Sequence, residues 1–153
     1  MPDYLSATEI VSQVSLKLVN GFRDEITTVY KDTPISGMVK PCFFIQQLNT
    51  VHRSELRNRG DRRYFLDVRA HPKDDEDNKQ TWCNTVGDKL FSVLDSIEVS
   101  EQRVKSRVMR FEIIDNVLHF FVEYSFKVSQ TEEPNVKMRT LDTNEYVDYG
   151  KGR

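Results

Sequence analysis

Two cysteines, Cys42 and Cys83, are all that this chain of 153 residues contains. They are too few and too far apart for a metal knuckle or a disulfide framework. Both are read as small core residues of a protein kept in a reducing compartment. Glycine is equally sparse where it would matter. Gly37 and Gly60 stand alone, which excludes a phosphate-cradling glycine loop and a nucleophile elbow. No apolar run approaches the ~20 residues that a membrane span needs. The N-terminal stretch MPDYLSATEI lacks the basic and apolar regions of a signal peptide, so the protein is expected to stay in the cytosol where it is made. A large charge of one sign is also missing. The net charge of -2 argues against a general nucleic-acid or membrane binder.

Chemistry-bearing constellations are scarce too. His52, His71 and His119 fall in three separate segments, with none of the i, i+4 spacing of a helical metal pair. Asp74, Asp75, Glu76 and Asp77 form an acidic run, but without the alternating ligand spacing and internal glycine of a calcium loop. The run is read as a solvated helix start, with its charge at the positive end of the helix dipole. No catalytic residue, metal or cofactor is expected.

What is present is patterned apolar sequence. Charged residues make up 30% and the hydrophobic set 38%, which fits a single globular domain with a heavily charged exterior. The block Arg107 to Val128, RVMRFEIIDNVLHFFVEYSFKV, reads as two alternating runs folded about Asp115-Asn116. Leu118, Phe120, Val122, Tyr124, Phe126 and Val128 share one face; His119, Phe121, Glu123, Ser125 and Lys127 share the other. That period of two predicts strands with one buried face. Asp and Asn tolerate positive φ, so a two-residue hairpin turn is expected between them. Phe121 sits on the more polar face, so either a helix covers that face too or Phe121 marks a contact with a neighbour.

Upstream, Val11, Val14, Leu18, Phe22, Ile26 and Val29 recur at steps of three and four. They predict one helix over Ala7 to Tyr30, about 36 Å long at ~1.5 Å per residue, with Ser6 or Thr8 as its cap. Cys42 to Leu48 and Arg62 to Ala70 read as strands about a turn at Asn58 to Asp61. A second helix is expected over Asp77 to Ile97, with Trp82, Val86, Leu90, Val93, Leu94 and Ile97 turned inward. The predicted fold is α+β: a mainly antiparallel four-stranded sheet packed against two helices, with an extended polar C-terminal arm. Residues 1–128 form the single domain of this reading and residues 129–153 the arm.

Two features stand out as contact devices. Arg53, Arg57, Arg59, Arg62, Arg63 and Arg69 crowd with His52 into Val51 to Ala70, giving the first strand pair a basic tip. Three readings stay open: contact with nucleic-acid backbone, contact with an acidic protein surface, or a solvated tip paired locally with Glu55, Asp61 and Asp67. The arm is too poor in apolar residues to fold by itself. Its anchors Tyr146, Val147 and Tyr149 are expected to dock across a subunit boundary.

The order of these segments also carries a family resemblance. The PCFFI strand (Pro41 to Ile45), the RYFLDV strand (Arg63 to Val68), the helix ending in DKLFSVLDSI (Asp88 to Ile97) and the run IIDNVLHFFVEYSFKV (Ile113 to Val128) resemble tail terminator, or tail completion, proteins of long-tailed phages and phage-like elements. The resemblance spans roughly Ile10 to Met138. It implies a non-enzymatic virion protein that assembles in the host cytoplasm as a homo-oligomeric ring, usually of six copies. Such a ring would cap the tail tube protein, stop its polymerisation and face the head–tail connector or neck protein, with the sheath protein as a further partner in a contractile tail. DNA would pass through the bore without specific binding. The alternative implied is another neck or tail subunit, either a connector or a tube protein.

Overall fold

The computed structural model describes residues 6–32 and 37–129. Helix α1 (Ala7–Gly21) begins at a capping box: the Glu9 N–H donates to Ser6 Oγ at 3.2 Å and the Ser6 N–H donates to Glu9 Oε1 at 3.4 Å. Ile10, Val14 and Leu18 are buried along it, each contributing roughly 1.5–3 kcal/mol relative to exposure. The helix stops earlier than the periodicity predicts. A Cβ on Gly21 would lie 2.8 Å from Val93 Cγ2 of the second helix, so glycine permits this close crossing. Beyond it the chain turns, Phe22 and Ile26 remain buried, and β1 (Thr28–Tyr30) forms a strand instead of a last helical turn.

Two long hairpins follow, separated by a helix. β2 (Cys42–Ser54) pairs antiparallel with β3 (Arg59–His71), and β5 (Gln102–Ile114) with β6 (Val117–Ser129). Asp115 and Asn116 both have positive φ, 52° and 63°, as the alternating block requires of a two-residue turn. Between the hairpins lie α2 (Lys79–Val93), capped by Asn78, and the short β4 (Ser96–Val99). The acidic run therefore precedes α2 rather than forming its first turn.

The expected four-stranded, mainly antiparallel sheet is overturned. Six strands join in the order β1-β2-β3-β6-β5-β4, and the sheet is mixed because β1 runs parallel to β2. The two added strands are the short edge strands: β1 replaces the expected last turn of the first helix, and β4 begins within the expected end of the second. The α+β class itself stands.

Register sorts the side chains into two faces. Phe43, Ala70 and Leu118 stand abreast, as do Ile45, Val68 and Phe120, and then Leu66 beside Val122. This is the face the helices cover. Phe22 of the α1 exit meets Phe43 edge-on at 5.0 Å between centroids. Gly87 of α2 lies against Phe111, where an added Cβ would come within 2.7 Å of the ring. The other face carries no helix of the described residues.

Candidate functional site

The β2–β3 hairpin is longer than its core requires. Each strand has 13 residues, about 43 Å at ~3.3 Å per residue, while β1 pairs only with Cys42 to Phe44. Every residue of β2 from Gln47 to Ser54 is exposed. The turn falls earlier than expected, at Glu55 to Asn58, with Arg57 and Asn58 at φ of 62° and 59°. The Glu55 N–H closes it by donating to the Arg59 carbonyl at 2.7 Å.

At the tip, Arg62 Nε donates to His52 Nδ1 at 3.2 Å, which fixes Nδ1 as an acceptor. The imidazole lies over Gly60, where a Cβ would sit 2.6 Å from His52 Cε1. With Ser54, Glu55, Asn58, Arg59 and Val128 these residues line a cleft of about 160 Å³.

The arginine cluster divides into two groups. Arg63 is held within the sheet, its Nε 3.2 Å from Asp61 Oδ2 and 3.8 Å from Glu123 Oε2. Arg69 is held by Asp67 at 3.1 Å. Burial works to raise the Asp61 carboxyl, but the bond and charge of Arg63, with Lys127 and Ser125, outweigh it and leave that group below its ordinary 3.8. Arg53, Arg57 and Arg59 are exposed and make no side-chain ion pair with another described residue. Glu55, which the sequence offered them as a partner, pairs with Lys127 at 3.0 Å instead. Tyr146, Val147 and Tyr149 lie outside the described residues.

Sequence reasoning missed a second surface, the helix-free face of the sheet. Asp67 is buried at its centre, with Oδ2 accepting from Arg69 Nε and 3.0 Å from His119 Nδ1. Glu123 lies under two guanidinium groups, Arg63 at 3.8 Å and Arg107 at 3.9 Å. The Arg110 guanidinium stacks over the Phe121 ring at 4.3 Å, and Arg69 covers Phe44 at 5.7 Å. Phe121 is thus shielded by an arginine from the neighbouring strand rather than by a helix. Asp67 and Glu123 are thus sunk beneath cations, while Glu112, opposite His119, is exposed and pairs with Arg110 at 3.5 Å. An unbroken acidic run, Asp74 to Asp77, lies in the loop before α2. The signal was present in the polar positions of β3 and β6, but only the register pairs Asp67 with Phe121 and Arg69 with His119.

Reactive groups are muted. The Cys42 and Cys83 thiols are buried and burial pushes both up from 9.0, away from thiolate character. Burial, then the charges of Lys40, Arg69 and His119, lowers His71 below 6.5. Among the described residues no hydroxyl or thiol hydrogen-bonds to His119, and no cluster of three His, Cys, Asp or Glu side chains could hold a metal ion. No helix among them is long and apolar enough to cross a membrane.

What remains is a surface suited to protein contact: a projecting basic hairpin, a sheet face of paired charges and an acidic loop before α2. A comparison with curated protein sequences returned no match. The family described as phage tail terminator protein matches residues 9–136, which takes in both hairpins, α2 and all of α1 but its first two residues. The chain therefore belongs to the phage tail terminator family and is a structural protein of a phage tail.

Proposed function

We propose that six copies of this chain close head to tail into a ring on the finished end of the tail tube. The ring stops further addition of tube protein and presents its opposite side to the head–tail connector or neck protein. In a contractile tail it also meets the sheath protein. A stack of rings always exposes a face competent for addition, and a closed ring with one matching face blocks it without chemistry. Cyclic closure needs two different patches on each subunit.

The observation that carries this reading is the unpaired charge at the end of the long hairpin. Arg53, Arg57 and Arg59 extend beyond the core while the acidic loop and α2 lie elsewhere on the same subunit. Such patches favour a heterologous contact and fix its register. On this reading the tip arginines face protein, and DNA passes through the bore without specific binding. Residues 129–153 reach a neighbouring subunit through Tyr146, Val147 and Tyr149.

Mass measurement and negative-stain microscopy of the purified chain, alone and mixed with its tube protein, test the proposal. Rings of six that sit on tube ends are the expected result. Long polymers formed by the chain alone would identify a tube protein instead and overturn it.

A further inference from the structure

β2 has one edge that, beyond Phe44, pairs with no described residue. On one side it pairs with β3 along its whole length, and on the other with β1 only as far as Phe44. A bulge at Leu48 interrupts the strand, which leaves Asn49 to Ser54 as an unbroken run whose outer backbone groups have no described partner. Open edges recruit strands. Val51, 42% exposed, and Leu48, 48% exposed, add apolar surface beside this one. Where β1 ends, a groove of about 450 Å³ opens between Thr8, Val11, Ser12 and Lys31 on one side and Phe44 to Gln47 on the other.

The chain supplies a segment that fits. β6 ends at Ser129, which pairs with Arg59 at the hairpin tip, so residues 130–153 start from that tip. Within them Val136, Met138 and Thr140 alternate with Lys137 and Arg139, a strand-like pattern. Its length suits the Gln47 to Ser54 edge.

We propose that residues 135–141 of a second copy add to β2 as an antiparallel strand along its outer edge. That direction carries Tyr146, Val147 and Tyr149 on toward the groove beside Lys31. A copy's own segment would have to reverse around the hairpin within residues 130–134 to reach its own edge, and a neighbour's segment needs no such reversal. Each subunit then offers one strand and one edge, so a closed assembly, such as the proposed ring, satisfies all of them and an open chain does not. The proposal rests on the ring reading and gives that reading its joint.

The test uses the full chain in two variants with one added cysteine each, Val51→Cys and Met138→Cys, mixed under mild oxidation. Both native cysteines are buried and do not compete. A disulfide-linked pair of different copies is expected at a yield about tenfold above a control mixture of Leu16→Cys with Met138→Cys. Rings that form without that link would overturn the strand addition and leave the ring reading intact. A double variant, Val51→Cys with Met138→Cys, that links within single chains would show the segment on its own edge and overturn the transfer between copies. A wild-type chain that stays monomeric, alone and with tube protein, would remove the ring reading itself.

Discussion

The Tyr124 hydroxyl donates a 2.7 Å hydrogen bond to the Leu94 carbonyl in the core, tying the centre of β6 to the C-cap of α2. Replacing Tyr124 by Phe keeps the ring and strands that carbonyl, so a loss of about 1–2 kcal/mol is expected in urea denaturation. A loss below ~0.5 kcal/mol would mean the carbonyl finds another donor.

The same tyrosine sets an alkaline limit. Burial first, and then the Asp95 charge, pushes the Tyr124 phenol well above its ordinary 10.0. Its folded pKa is raised, so its contribution is intact below pH 10 and falls as pH rises further, because only the unfolded chain releases that proton. Between pH 10 and 11 the wild-type Tm should fall more steeply than that of Tyr124→Phe. Parallel curves would contradict this.

Gly87 tests the seating of α2 on the sheet. Alanine at a helix interior ordinarily gains ~1 kcal/mol over glycine. Here its Cβ would meet the Phe111 ring at 2.7 Å. That ring is backed by Phe120 and flanked by Phe91, so it has little freedom to yield. Gly87→Ala should destabilise by about 1–3 kcal/mol, and a more stable variant would refute the packing.

On the helix-free face, Asp67 holds both Arg69 and His119. Asp67→Ala leaves two cationic or polar partners without their acceptor and should cost about 2–4 kcal/mol. Asp67→Asn keeps an acceptor for Arg69 and should cost less. Equal losses would mean the charge, not the bond, is what the face requires.

Arg57 separates folding from assembly. It is exposed and lies in the turn, so Arg57→Glu should change stability by no more than ~0.5 kcal/mol. Ring formation should weaken, and added salt, which weakens the wild-type contact, should weaken that of the variant less. Unchanged assembly by light scattering would remove the tip from the subunit contact.

The central strands and both helices were legible because burial imposes a period, two for β6 and three to four for α1. The misreadings arose where burial and backbone disagree. Phe22 and Ile26 continue the helical stripe and are buried as it demands, yet the chain leaves the helix at Gly21 to let Val93 approach. Ile97 is buried as expected but from β4, where it and Val99 are buried on either side of the exposed Glu98. The outer half of β2 could not be read because nothing there is buried; its strand character comes from pairing with β3 across the hairpin. The basic tip was visible in composition. Which arginines remain available was not, since Asp61 and Asp67 choose their partners through geometry.

The central ladder joins β3 to β6, pairing Arg59 with Ser129 and Ala70 with Leu118. Everything between those strands, including α2 and β5, must leave the ribosome before the pairing can begin. Contacts this distant in sequence close slowly. The sheet core is therefore completed only once β6 has emerged, and its two halves stay unpaired until then. A ribosome-bound chain halted before Val117 should be cleaved readily by protease, and one halted well past Ser129 should resist. Synthesis order thus delays each subunit's competence for assembly until its final strand is in place.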